Sequence, residues 1–293
     1  MNYLLQQIIN ALGYGGVIAL LAAGYTMTFG IINLVNFAYG EVFMLGAFAA
    51  YFCINIWNLP FWLVFLIGIA ASIVVGFVIE RTTFKPVRGA DMVTLFITGL
   101  GASIVVRNLA VMIFDDRLKS FSLPDFLKGL HSLGDILLFN KTIAIVLVTL
   151  VIGLVLIYLV KKTKIGIAMR SISYNAQMSK CLGMNSEKVI IITFIISSSL
   201  AGIAAYLQGI LFGSIQASMG FTAVVYAFIA SVMGGVGNIV GAMVMGYFLA
   251  IGGNLFIAFL PPDLVGLKSL FVWGVFFLIL IFRPSGLFRA NIK

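Results

Sequence analysis

Four ionisable side chains stand within or beside long apolar runs: Glu41, Glu80, Asp91 and Arg107. At the centre of a bilayer such a charge costs about 3 kcal/mol or more. If these runs cross a membrane, each of the four must turn into the protein interior or lie at an interface. Glu80 and Asp91 flank a basic stretch with Arg81, Lys85 and Arg88, and they read as interfacial. Arg107, in GASIVVRNLAVM, either snorkels to the nearer surface or pairs with Glu41. Glu41 ends the stretch FGIINLVNFAYGE, where Asn33, Asn36 and Gly40 interrupt an apolar pattern. Two roles fit it: a group on a translocation pathway or gate, or a carboxylate stabilising a helix N-terminus. A second interruption, MGGVGN, holds Gly234, Gly235 and Gly237 and is followed by Gly241 and Gly246. Unwound backbone survives at membrane depth only where protein or a water-lined cavity satisfies it, so both interruptions are candidate pathway elements; close helix packing through small residues is the alternative.

Other chemistries are poorly supplied. The single histidine, His131, and two cysteines, Cys53 and Cys181, give no metal cluster and no disulfide framework. No Gly-Lys dipeptide occurs, so a phosphate-binding P-loop is excluded, and no nucleophile and base set lies inside an apolar run. The chain is expected to be non-catalytic, with no cofactor of its own.

The elements that position these residues follow from composition. Of 293 residues, 62% are hydrophobic and 9% charged, with a mean hydropathy of +1.17. Charges are absent from 1–40, 42–79 and 189–262. A helix needs about 20 apolar residues to cross a hydrocarbon layer of about 30 Å, so these stretches must be cut into several crossings. The apolar runs are roughly 8–30, 41–57, 61–80, 92–113, 139–160, 189–212, 219–238, 241–260 and 265–282. An all-α polytopic membrane protein results, with about nine transmembrane helices (eight to ten), some of them broken, forming one permease-sized domain over 1–293. One interruption falls in each half, as a two-half repeat would have it, although no internal repetition is evident. A β-barrel is disfavoured, since evenly alternating strand-length segments are lacking.

The net charge of +9 sits in short loops rather than on one amphipathic face, which argues for topology signals and against nucleic acid. Lys161, Lys162, Lys164, Arg170, Lys180 and Lys188 crowd one loop with a single acid, Glu187, and place it in the cytoplasm. Arg81 to Arg88 mark a second cytoplasmic loop, and Arg283, Arg289 and Lys293 a cytoplasmic C-terminus. The stretch 115–141 has no basic excess and belongs outside. Nine crossings then leave the N-terminus extracytoplasmic. Within the large loop, about 161–188, a helix is expected over 167–182, with Met169, Ile172, Ala176, Ser179 and Leu182 near one face and Gly183 as its stop. Such a helix suits a partner's docking cleft or a lipid interface equally.

These motifs together resemble the permease subunits of branched-chain amino acid ABC importers, and the shorter of the two paralogous subunits more closely. The Asn-Phe-Ala-x-Gly-Glu element stands at Asn36 to Glu41, followed by Met44, Gly46 and Ala47; the Glu-Arg loop at Glu80 and Arg81 leads to Pro86, Arg88 and Gly89. The coupling loop matches through Gly166, Arg170, Asn175, Ala176, Met178, Leu182, Gly183, Met184 and Asn185, the glycine run through Gly234, Gly235, Gly237, Gly241 and Ala242, and the C-terminal motif through Arg283 to Phe288. The resemblance implies an inner-membrane system with a second permease subunit (a paralogue or a second copy), two cytoplasmic ATPases that bind ATP and Mg, and an extracytoplasmic binding protein. Three positions depart from the family: Tyr39 where His is common, Tyr226 where Lys often precedes Ala-Phe, and Val240 where Pro is usual. The substrate thus extends to other hydrophobic amino acids, amides or urea. An ion-coupled carrier using Glu41 and Arg107 without an ATPase is the competing reading, and a membrane scaffold without transport a third.

Overall fold

A computed structural model describes residues 2–32, 35–122, 124–133 and 136–288. Asn33, Arg289 and Lys293, singled out above, lie outside the described residues.

The described residues form nine apolar helices packed as a bundle: α1 (Asn2–Ile32), α2 (Tyr39–Asn55), α3 (Phe61–Ile79), α4 (Met92–Phe114), α5 (Asn140–Lys162), α8 (Ser186–Phe212), α9 (Met219–Gly234), α10 (Ile239–Ala258) and α11 (Lys268–Phe282). Each coincides with one apolar run of the sequence to within a few residues. Six of them (α1, α3 with its extension to Phe84, α4, α5, α8 and α10) are long and apolar enough to cross a bilayer, while α9 and α11 are shorter apolar helices. Two short helices, α6 (Lys164–Tyr174) and α7 (Ala176–Cys181), fill the loop between α5 and α8.

α1 occupies the centre because its small residues let neighbours approach. Its run from Val17 to Ala23 is almost wholly buried against α10, α8, α9 and α5. Gly246 of α10 packs on the backbone of Ala19, and the ring of Tyr247 fills the space beside Gly15. Between apolar helices in lipid such packing replaces the hydrophobic drive that operates in water. α3, α4, α5 and α11 instead turn long apolar side chains outward, such as Leu66, Met112, Leu154 and Ile281.

The two ends differ in chemistry. At one, strands β2 (Leu130–Leu133) and β3 (Ile136–Phe139) form an antiparallel hairpin, and β1 (Lys119–Ser120) pairs with β4 (Ser214–Ile215). The N-terminal turns of α1 are tied to this hairpin end, because Gln6 bonds to the Leu137 backbone through both its amide atoms at 3.0 and 2.9 Å. Nothing in the apolar periodicity of 115–141 signalled these strands; they are too short to show an alternating pattern.

The opposite, basic end carries α6, α7, the loop after α3 and the C-terminal segment. Glu80, expected at an interface, lies at this end, where it is fully buried in the protein and pairs with Arg88, with Arg81 Nε 3.9 Å from its other oxygen. A π-helical turn over Glu80–Phe84 carries the chain into this loop. Glu187, at the start of α8, receives Lys85 Nζ at 2.8 Å and Arg81 Nη1 at 3.1 Å. The basic loop after α3 is thereby bound to the foot of α8.

Candidate translocation and coupling sites

Glu41 lies in the first turn of α2, where a carboxylate complements the helix dipole. Its position is set by a glycine contact: a Cβ on Gly40 would strike the Gly220 carbonyl of α9, and a Cβ on Gly220 would strike that of Gly40. α2 and α9 therefore cross at backbone distance, and the neighbouring Glu41 is completely buried. Ser103 of α4 donates its hydroxyl to Glu41 Oε1 at 2.9 Å, while Oε2 has no hydrogen-bond partner among the described residues. Arg107 follows Ser103 by one helical turn, yet forms no ion pair with Glu41 among the described residues. Its guanidinium lies over the Phe221 ring, 5.6 Å from the centroid, and is partly exposed. A planar, weakly hydrated cation is stabilised on an aromatic face, and from there Arg107 still acts on the Glu41 carboxylate electrostatically.

The other interruption residues converge on the same bundle. Asn36 is buried, with Oδ1 lacking a hydrogen-bond partner among the described residues. Tyr39 is buried and donates to the Ser197 carbonyl at 3.1 Å; Ser197 in turn donates to the Gly24 carbonyl at 3.0 Å. Three helices, α1, α2 and α8, are pinned by these two bonds. Gly234, Gly235 and Gly237 form the turn between α9 and α10, at the basic end. Gly235 and Gly237 have φ of +95° and +82°, which disfavour any side chain with a Cβ. The turn is held from two sides: Gly237 N–H donates to Thr26 Oγ1 at 3.0 Å, and Leu287 N–H donates to the Met233 carbonyl at 2.8 Å. Gly30 and Gly237 pack backbone to backbone, so the end of α1 and the α9–α10 turn are neighbours. Tyr226 is distant from this group and stands edge-on to Tyr14 at 6.2 Å.

The large basic loop is two helices rather than one. Asn175 breaks it with φ −156° and ψ 101°, and its side chain accepts from Met178 N–H at 2.9 Å, which caps α7. Asparagine at such a position competes with the helix for its own backbone, a preference that outweighs the apolar periodicity across 167–182. The expected single face is consequently divided. Met169, Ile172 and Ser179 are buried in the protein, whereas Leu182 is 73% exposed along with Met178, Tyr174, Ile167 and Ile165. Gly183 stops α7 with φ +81°. The corner between α5 and α6 admits only glycine at Gly166, since a Cβ there would collide with the carbonyls of Leu159 and Val160. Arg170 reaches back across this corner to the carbonyls of Lys161 and Gly166, both at 3.4 Å. Asn185 caps α8 by accepting from Lys188 N–H at 3.0 Å, and Met184 N–H closes the preceding turn on the Ser179 carbonyl. The side chain of Ala176 lies outside what the structure describes.

Residues 7–281 match the protein family described as branched-chain amino acid transport system / permease component. The chain belongs to that family. The permease is 35% identical to the high-affinity branched-chain amino acid transport system permease protein BraD of Pseudomonas aeruginosa, over 97% of this chain and 95% of the relative. It is 33% identical to the corresponding protein LivH of Escherichia coli over the same shares. In fold it is similar to a chain of PsaBC from Streptococcus pneumoniae, solved with a Fab, with a TM-score of 0.50 and 11% identity over 100% of the permease and 95% of that chain. Its apolar helices and its family make it a multi-pass membrane protein.

Sequence reasoning missed Ser103, Ser197 and Thr26. Ser103 had a signal, four residues before Arg107 on the same helix face. Ser197 and Thr26 bond to backbone atoms, which no residue pattern reveals.

Proposed function

We propose that the permease is the membrane-spanning subunit of an ATP-driven importer of branched-chain or other hydrophobic amino acids. The observation that supports this most is the row of exposed apolar side chains on α6, on α7 and just after it, Ile165, Ile167, Tyr174, Met178 and Leu182, beside a basic loop. A short helical unit that buries one side in its own bundle and leaves the other apolar and uncovered suits a protein partner of matching cleft. The basic end is cytoplasmic and the hairpin end, with the N-terminus, extracytoplasmic. Two cytoplasmic ATPases carry ATP and Mg and dock on α6–α7; a second permease subunit completes the pathway, and an extracytoplasmic binding protein delivers substrate at the hairpin end. Glu41, with Asn36, Tyr39, Gly40 and Arg107, belongs to the moving pathway region, where α2, α4 and α9 meet.

The test is reconstitution. Membranes containing the permease with its co-purifying subunits should accumulate leucine, isoleucine or valine only with ATP and binding protein present. Accumulation by the permease alone under an ion gradient would establish the secondary carrier instead.

A further inference from the structure

At the hairpin end, α1, α8 and α9 diverge around an open pocket of about 300 Å³ lined in part by Tyr14, Gln208, Phe212, Gln216, Met219 and Thr222. This is the small end of the range for ligand pockets, about 300–1,000 Å³, and suits one amino acid rather than a peptide. Its chemistry is divided in a useful way. Tyr14 and Phe212 meet edge-to-face at 5.7 Å and, with the Met219 thioether, make an apolar wall. Gln208, Gln216 and Thr222 supply amide and hydroxyl groups. The Gln208 amide is underused, since its hydrogen-bond partner among the described residues is the Met219 sulfur at 3.9 Å, a weak acceptor. A second pocket of about 400 Å³, lined by Ala49, Phe52, Cys53, Ile56, Trp57 and Ile67, has hardly any polar group to orient a zwitterion.

The Tyr14 ring is fixed by residues that do not line the pocket. Tyr226 meets it edge-on at 6.2 Å, and the Lys268 ammonium lies 5.0 Å from its centroid while donating to Asn254 Oδ1 at 2.8 Å. A ring held on one side by a cation and on another by a second ring is a rigid wall. Tyr226 is also one of the positions where the sequence departs from the family pattern it resembles.

We propose that this pocket is an entry subsite of the permease itself, which takes a free amino acid with an apolar side chain. The side chain lies against Tyr14, Phe212 and Met219; the ammonium meets the amide oxygens of Gln208 and Gln216, whose own N–H is held by Ser218 Oγ at 2.8 Å, and the carboxylate meets the Gln208 amide N–H and the Thr222 hydroxyl. Tyr226 acts one layer out, as a positioning residue for Tyr14, and tunes which side chain fits. The proposal rests on the import reading, because only a translocated amino acid has reason to stop at this mouth.

The experiment uses the complete transporter in right-side-out vesicles, with Thr222→Cys or, should that variant fail to assemble, Ser214→Cys, each in a Cys181→Ser background. A membrane-impermeant methanethiosulfonate is applied with and without L-leucine, L-valine or L-phenylalanine, with L-glutamate as control. Apolar amino acids should slow modification several-fold and glutamate should not. Equal rates with all four, in a transporter whose unmodified form takes up leucine, would overturn the subsite while leaving the import reading intact; absent uptake by the unmodified form would strike the import reading instead. Tyr226→Leu should change the preference between leucine and phenylalanine by about tenfold in KM, the scale of a reshaped apolar pocket. An unchanged preference would remove Tyr226 from the specificity wall.

Discussion

The carboxylate of Glu41 is fully buried between α2 and α4 and accepts one hydrogen bond, from Ser103 at 2.9 Å, while its second oxygen has none among the described residues. A buried charge so thinly solvated is costly, and the same site is the crossing point of α2 and α9 at Gly40 and Gly220. This arrangement therefore leaves Glu41 with unused hydrogen-bonding capacity.

Glu41→Gln keeps shape and removes charge. Uptake should fall at least about tenfold while the amount of protein in the membrane stays near that of the parent, because an amide still accepts from Ser103. Uptake normalised to membrane protein, measured by quantitative blotting, checks this; parental uptake would reduce Glu41 to a structural residue.

Arg170 and Gly166 hold the corner between α5 and α6. Arg170→Glu replaces a donor to the Lys161 carbonyl of α5 and the Gly166 carbonyl of α6 with a negative charge at the α5 C-terminus, which is unfavourable by about 0.3–1 kcal/mol and leaves insertion intact. Substrate-stimulated ATP hydrolysis in the reconstituted assembly should drop severalfold, with basal hydrolysis unchanged. Gly183→Val places a β-branched residue at φ +81°, at a cost of about 1–3 kcal/mol, and should uncouple in the same assay. Unchanged coupling in both variants would remove α6–α7 from the transmission path.

Glu80 is buried against Arg88 at the basic end. Glu80→Ala removes the buried carboxylate from the part-exposed Arg88, which keeps its attraction to Glu187, and the loss should be about 1–3 kcal/mol, enough to lower the thermal midpoint in detergent. Glu80→Ala combined with Arg88→Leu should recover much of it. A midpoint unmoved by Glu80→Ala would show that the pair contributes little.

Glu187 stands in the exposed first turn of α8, ahead of the charge-free run that begins at 189, and its pKa is pushed below the usual carboxylate range by the hydrogen bond and charge of Lys85, with Arg81 and Arg88 adding to the effect. A depressed folded pKa means that the contribution is present above the unfolded carboxylate value and is lost as pH falls through the folded one. Stability attributable to this contact should thus be level around neutrality and decline only in acid. Glu187→Gln should be less stable at neutral pH and lack that part of the acid decline, which thermal scans across pH would reveal.

Much of the architecture was legible because charge-free runs of span length leave few ways to fold. Nine helices follow from 1–40, 42–79, 189–262 and the runs between them, since each must bury its backbone polar groups in its own hydrogen bonds. The break at Asn175 was hidden for a different reason: a local side-chain cap overruled a periodic pattern that looked continuous. The burial of Glu80 was hidden because its partner, Arg88, reaches it only after a π-helical turn that composition does not encode. Arg107 illustrates a third limit. The sequence offered a snorkelling position or a pair with Glu41, and gave no sign of the aromatic face of Phe221, which lies 114 positions further along the chain.

The most direct test of the central claim is what travels with the permease. Purified in mild detergent from its own host and analysed by mass spectrometry, it should bring a second hydrophobic permease and P-loop ATPases, and Leu182→Glu at the exposed position just after α7 should release the ATPases. Recovery of the permease alone, active in liposomes under an ion gradient without ATP, would contradict the account.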